Sequence, residues 1–257
     1  MIYNCSIVIV YTNNKQLNES KKYIQAQKDC VIETIFIDNT KNRFKSAASA
    51  LNYGASKANY ENIIFMHQDV YMYDELSVYK ICDFLSKNND SIIGVAGSNK
   101  DYSVISDLVL LGGKEVETKE DNEEYFVNGA KKANGKIYEV MSVDECLIGI
   151  KKERFDKIQF DEKTCDGWHL YGVDLCLMNL INNGKNYVVP LKICHESSGN
   201  RDDINFVKTL GKIIKKYKKT QIKEIYTTCV RIKCDYLSYY LYKLKKMIKF
   251  KFFKKGV

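Results

Sequence analysis

The chain has 257 residues, enough to bury a full core as one large domain or as one domain with a small appendage. Its 45% apolar and 28% charged residues are ordinary for a globular protein, and no window approaches about 18 consecutive apolar residues, which argues against a membrane span. The net charge of +8 hides an asymmetry: residues 204–257 hold 16 of the 40 Lys and Arg and only Glu224 and Asp235 among the acids, so this tail carries +14 and the body before it −6.

The first residues lack a basic region followed by a long apolar run, so no signal peptide is expected, and the location expected is cytoplasmic. Nine cysteines are scattered without a CxxC pair, several of them inside apolar runs. That pattern fits buried free thiols in a reducing compartment, and neither a zinc site nor a disulfide framework.

In chain order, Ser6 to Tyr11 is a β-branched run that Thr12-Asn13-Asn14 ends as a turn. Lys15 to Lys28 reads as an amphipathic helix, Glu33 to Ile37 as a strand stopped by Asp38-Asn39, and Ser46 to Asn59 as an alanine-rich helix. Ile63 to Met66 is a third strand, Tyr73 to Asn88 a helix and Ser91 to Ala96 a fourth strand. Strand alternating with helix over short connections is the pattern of a mostly parallel sheet with helices on both faces, an α/β fold.

After Gly97 the pattern loosens. Lys114 to Glu124 is polar and acidic, an expected exposed loop, and Lys136 to Val143 alternates as a strand in a mixed sheet does. Leu147 to Ile150 continues the extended tendency, and Phe160 to Tyr171 is irregular and aromatic. Asp174 to Asn183 reads as a short helix ended by Asn183-Gly184, and Tyr187 to Ile193 as a last strand whose Pro190 suits an edge.

Polar clusters close several of these elements, and they contain all three histidines. His67-Gln68-Asp69 follows the third strand, Asp38-Asn39 the second, and Cys194-His195-Glu196-Ser197-Ser198-Gly199 the last. Trp168 to Asp174 opens a helix, which puts Asp174 near a positive helix end. Ligands of open α/β sheets bind beyond the carboxyl ends of strands, and a carboxylate there can hold a divalent cation on a diphosphate. The plainer reading of each cluster is a buried strand ending in a polar turn, with Asp38 a turn residue and Asp174 a helix cap.

Six segments in order, SIVIVYTNN, ETIFIDN, LNYGASKANYENIIFMHQDV, VDECLIGIKKERFD, WHLYGVDLCL and CHESSG, span Ser6 to Gly199. They resemble the family 2 glycosyltransferases of GT-A fold, and in particular a bacterial subgroup whose metal motif reads HQD rather than DxD. The resemblance implies a GT-A domain over residues 1–203, with a basic, amphipathic helical extension over 204–257. It implies that Tyr11, Thr12, Asp38, Asn52, Gly54 and Gln68 face the nucleotide of a nucleoside-diphosphate sugar. Asp69 and His195 are the implied ligands of Mn²⁺ or Mg²⁺, and Asp174 the implied general base. Asp144, Glu145, Trp168 and His169 fall on the acceptor or sugar side. His67 stands where the common motif has an acid; it either bonds the ribose or phosphate or is structural.

The tail interleaves lysines with Tyr, Ile and Phe, partly at helical spacing through Ile213, Ile214, Tyr217, Ile222 and Ile225. Such a helix suits an anionic membrane surface. No nucleic-acid motif accompanies the charge, and the acidic body argues against a nucleic-acid partner.

The reading expected is a metal-dependent, inverting hexosyl- or N-acetylhexosaminyl-transferase. It moves a sugar from a donor, UDP-linked by expectation, to a glycan or lipid-linked acceptor at the inner face of a bacterial membrane, in surface polysaccharide synthesis. Two rivals are a non-catalytic, nucleotide- or partner-binding relative and a sugar nucleotidyltransferase. The second lacks its expected glycine-rich phosphate loop near the N-terminus.

Overall fold

The computed structural model describes residues 2–102, 104–107, 109–110, 130–196 and 203–253. The first half runs β1 (Tyr3–Tyr11), α1 (Asn14–Gln25), β2 (Cys30–Asp38), α2 (Ala47–Ala55), β3 (Asn62–Met66), β4 (Val70–Met72) and α3 (Ser77–Lys87). Short strands follow: β5 (Ser91–Gly94), β6 (Ala96–Ser98), β7 (Ile105–Ser106), β8 (Val109–Leu110), β9 (Tyr138–Val140) and β10 (Ser142–Val143). Then come β11 (Leu147–Lys151), α4 (Lys152–Ile158), α5 (Tyr171–Ile181), β12 (Lys185–Val188) and β13 (Ile193–His195). The tail forms α6 (Ile204–Tyr217), β14 (Glu224–Tyr226), β15 (Arg231–Lys233) and α7 (Tyr236–Phe253).

The central sheet has seven strands in the order β2-β1-β3-β11-β5-β12-β9. β2, β1 and β3 are parallel, as are β5 and β12, while β11 enters between β3 and β5 antiparallel to both. This is the mixed, mostly parallel α/β sheet expected, with one strand from the loosened region driven into its middle. Period-two alternation sorts the side chains between two cores. Val8, Ile63, Phe65, Ile92, Ile148 and Ile150 pack on one face with α2, α4 and α5. Ile7, Ile9, Ile64, Met66, Ile93 and Leu147 pack on the other with α1 and α3.

α5 is apolar nearly all round because it is covered twice. Leu175 and Cys176 meet the sheet, while Leu170, Val173 and Leu177 meet Phe206, Leu210, Ile213, Ile214 and Tyr217 of α6. The expected boundary at residue 203 therefore falls on Asp203, the N-cap of a helix whose apolar face is buried against α5.

Several elements differ from expectation for local reasons. The single strand expected over 187–193 is two, β12 and β13, parted around Pro190, which has no N–H for a ladder. The helix expected from Tyr73 starts at Ser77; Tyr73 instead continues the antiparallel pairing of β4 with β13, its amide donating to the Lys192 carbonyl. Ile222 and Ile225, read at helical spacing, belong to a stretch where Ile225 pairs with Ile232 in the β14–β15 hairpin. Strands expected over 91–96 and 136–143 each break in two, and α4 had no separate expectation. The loop expected over 114–124 and Ser197 to Gly199 lie outside the described residues.

Gly54, expected beside a nucleotide, instead meets strand β1: a Cβ there would stand 2.3 Å from Val8 Cγ1, a fully buried side chain. Gly54→Ala should therefore destabilise the protein by about 1–3 kcal/mol, the usual cost of overpacking, even though alanine is the better helix former. Thermal unfolding checks this, and a raised KM for nucleotide donors at unchanged stability would show that Gly54 acts at the ligand instead.

Candidate active site

β3 is buried through Met66, and the chain turns immediately after it. The His67 amide donates to the Cys146 carbonyl at 3.0 Å, which anchors the turn to the residue before β11. β4 then runs antiparallel to β13, so His195 stands opposite Val70, and the Glu196 amide donates to the Asp69 carbonyl at 3.0 Å. Two motifs some 125 residues apart in sequence are thus laced together by backbone.

Their side chains converge. Asp69 Oδ1 lies 3.3 Å from His195 Nε2, and His67 Nδ1 lies 3.4 Å from the same nitrogen. The ligand atoms of His67, Asp69 and His195 all fall within 4.8 Å of one another. The other His67 nitrogen, Nε2, is 2.8 Å from the Tyr171 hydroxyl, a partner that fixes the ring as outer-shell groups fix metal-binding histidines.

The charges are arranged to match. Burial, with the His195 charge added, pushes His67 down to about 4, so its imidazole is neutral at pH 7 and keeps a lone pair to offer. Burial also works against a charged His195, but the Asp69 carboxylate outweighs it and holds its pKa above the ordinary value. Burial opposes the charged form of Asp69 too, and contact with His195 still leaves its carboxyl below the usual range. One carboxylate and two imidazoles at this spacing suit a divalent ion, and imidazole nitrogen favours Mn²⁺ over the harder Mg²⁺.

The cluster opens into a cavity of about 530 Å³. Thr12, Gln68, Asp144, Glu145, Trp168 and His169, all expected at the site, line it beside the three ligand residues. Gln68 acts mainly as a brace: its Oε1 accepts from the Thr12 and Asn13 amides at 2.8 and 2.9 Å, tying the end of β1 to the end of β3. Asp144 accepts from the Cys146 amide at 3.1 Å and from the Thr228 hydroxyl at 2.9 Å. His169 Nε2 lies 2.8 Å from Asp203 Oδ2.

Glu145 is the acid with the most altered chemistry. Its Oε1 accepts from the Gly172 amide at the start of α5, at 3.1 Å. Burial, then the neighbouring Asp144 charge, push its pKa up to about 8 against the opposing pull of amides at that helix start.

Five expected residues are absent from the cavity wall. Tyr11 packs on the opposite sheet face, since alternation along β1 sends Val10 and Thr12 to the cavity and Tyr11 away from it. Asp38 is exposed, and its carboxylate is used by the amide and hydroxyl of Thr40 at 2.8 and 2.7 Å; the buried Asn39 lines the cavity in its place. The Asn52 amide bridges α2 to the backbone of Phe160 and to Glu162, and Gly54 packs on Val8.

The fifth is Asp174. It is 1% exposed, and Lys216 of α6 bonds both its oxygens, at 2.9 and 2.8 Å. Burial raises its pKa, with Lys216 pulling the other way. The carboxylate ties α5 to α6 and is not among the residues lining this cavity.

Residues without a sequence signal also line the cavity. Ala47 and Leu51 come from α2, Tyr171 opens α5, and Thr227, Thr228 and Cys229 come from the β14–β15 turn. Tyr171 lies inside the segment Trp168 to Asp174 that opens the expected helix but is not singled out there, and nothing local points to the turn.

A model of a family described as "Glycosyltransferase like family" matches residues 6–217. Among solved structures the chain is similar in fold to GalNAc-T7 with UDP, GalNAc and Mn²⁺, with a TM-score of 0.57 at 13% identity, over 83% of this chain and 48% of that one. It is likewise similar to residues 1–349 of TarS from S. aureus, with a TM-score of 0.52 at 11% identity, over 86% of this chain and 66% of that one. The same fragment in complex with UDP-GlcNAc matches equally, with 68% of it covered. The chain thus spans about half the length of GalNAc-T7. No curated protein matches the sequence.

Asp174→Asn should cost about 2–4 kcal/mol, because among the described residues it leaves Lys216, a partly buried cation, with Asp161 as its remaining carboxylate partner. Denaturant unfolding checks the loss, and nucleotide binding by the folded fraction should be unchanged. Unaltered stability together with abolished sugar transfer would return Asp174 to the role of base.

Proposed function

The chain belongs to the glycosyltransferase-like family and has the GT-A fold, and from that premise we propose that it is a metal-dependent, inverting transferase of a sugar from a nucleoside-diphosphate donor. UDP is the nucleotide proposed, supported by the UDP and UDP-GlcNAc complexes among its fold neighbours. The observation that carries the reading is the His67, Asp69 and His195 cluster at the end of β3, open to a cavity that also holds a titratable acid, Glu145. The transferred sugar is a hexose or N-acetylhexosamine, and the acceptor is a glycan or lipid-linked glycan of a bacterial surface polysaccharide. Among the described residues no helix is long and apolar enough to cross a membrane. We propose a cytoplasmic enzyme lying at the inner membrane face through its basic tail. The division at residue 203 is kept in this reading, with α6 and the hairpin seated on α5 and α7 as the exposed end.

The proposed roles follow position. His67, Asp69 and His195 hold Mn²⁺, or Mg²⁺, through Nδ1, the carboxylate and Nε2. A divalent ion bound there would supply positive charge to the leaving diphosphate, which takes the electron pair of the broken bond to the anomeric carbon. Thr12 and Asn39, at the ends of β1 and β2, form the nucleotide wall. Tyr171 keeps the His67 ring in place, so His67 serves the metal side of the site rather than the ribose.

Glu145 takes the proton from the acceptor hydroxyl as that oxygen attacks the anomeric carbon. A carboxylate raised to about 8 is a stronger base than an ordinary one, and it remains partly ionised near neutral pH. Trp168, 42% exposed at the rim, offers a face for a sugar ring.

A donor panel with Mn²⁺, with and without EDTA, tests the transfer by release of nucleoside diphosphate. Turnover should vanish with EDTA and with Asp69→Ala. Tight UDP binding with no turnover for any donor and acceptor pair would favour a non-catalytic, nucleotide-binding relative. Glu145→Gln should lower kcat by about 10²–10⁴ with UDP affinity kept, the usual worth of a positioned base. The base must be deprotonated to act, so kcat/KM should rise about tenfold per pH unit up to about 8 and level off above it. A flat profile from pH 6 to 9 would remove Glu145 from the role.

A further inference from the structure

Helix α7 has two faces with opposite fates. On one, Tyr239 and Tyr242 pack against the cluster formed by α5 and α6, and the Tyr239 ring lies where only Gly211 of α6 leaves room for it. On the other, Leu237, Leu241, Leu244 and Ile248 are 71%, 61%, 59% and 47% exposed, with Tyr240 beside them at 62%. The spacing of four, three and four residues puts these side chains in one stripe along the helix, turned away from the seated tyrosines.

A stripe of large apolar side chains left in water marks a surface that something covers. The charges of α7 select what that is. The helix contains Lys243, Lys245, Lys246, Lys249 and Lys251 and no acid. On a helical projection Lys245 borders the stripe, and Lys249 and Lys243 stand on its two sides toward the seated tyrosines. A second copy of the same helix would bring lysine against lysine with no carboxylate to offset it, whereas an anionic bilayer neutralises the lysines and receives the leucines together.

We propose that α7 lies in the plane of an anionic lipid surface, with Leu237, Leu241, Leu244 and Ile248 in the acyl boundary and the flanking lysines at the headgroups. The inference deepens the reading of a membrane-face transferase and borrows its location from it, but the evidence is the helix itself. The docking face is confined to α7, because the apolar residues of α6 are already buried against α5.

The test is co-sedimentation of the full chain with phosphatidylcholine vesicles with and without phosphatidylglycerol, with UDP binding measured on the same preparation. The chain should bind vesicles containing phosphatidylglycerol and bind pure phosphatidylcholine weakly. Leu241→Ser, Leu244→Ser and Ile248→Ser combined should weaken vesicle binding on the order of 100-fold and leave UDP binding intact, since the changed side chains touch water in the free protein. Lys243→Gln with Lys245→Gln should weaken binding less and flatten its salt dependence. Vesicle binding that survives the serine substitutions would overturn the proposal. So would a lipid-free dimer that the same substitutions dissolve, which would make a second copy the occupant. Absent UDP binding with vesicle binding kept would count against the transferase reading and leave α7 docking standing.

Discussion

β3 lies inside the sheet along its whole length, with β1 on one edge, β11 on the other and an apolar core against each face. A strand so enclosed admits polar side chains only where it begins and ends. At its start, Asn62 donates to the Asn4 carbonyl; at its finish stand His67, Gln68 and Asp69. Each of these three has a distinct duty: Gln68 binds the neighbouring strand end, while His67 and Asp69 face His195. Their geometry is stiff because it continues from a strand buried along its whole length, and that stiffness suits the ion site proposed there.

The second constraint is the double burial of α5. Its inner face closes one core, its outer face receives α6, and the Asp174–Lys216 pair fastens the two helices. Its first residues turn toward the cavity, where Tyr171 reaches His67 and the Gly172 amide reaches Glu145. One helix therefore positions both His67 and the proposed base, Glu145. The tail also contributes to the wall through Thr228, which holds Asp144. The basic segment is thus part of the cavity wall as well as the surface proposed for lipid.

The legible parts of the fold were those whose signal is local. β1, β2 and β3 are short β-branched or apolar runs closed by turn residues, and α1 and α2 carry helical spacing. The insertion of β11 between β3 and β5 was not legible, because an all-buried five-residue strand reads the same wherever it pairs. The hairpin of β14 and β15 was lost among lysines, since isoleucines three apart satisfy a helix and two short strands equally well.

The sequence by itself determined the family, the α/β class and two residues of the cluster, Asp69 and His195, because strand-end polar motifs are continuous pieces of chain whose chemistry shows in their letters; His67 joined them only in the fold. It also determined the charge of the tail. Only the tertiary structure decided which acid faces the cavity. Asp174 and Glu145 are both carboxylates near the start of α5, and what separates them is whether Lys216 or open space stands opposite. The same holds for Asp38 against Asn39 and Tyr11 against Thr12, where one step along a strand reverses the face. Direction across a sheet and the partner on a distant helix are properties of the packed molecule, and no local pattern encodes them.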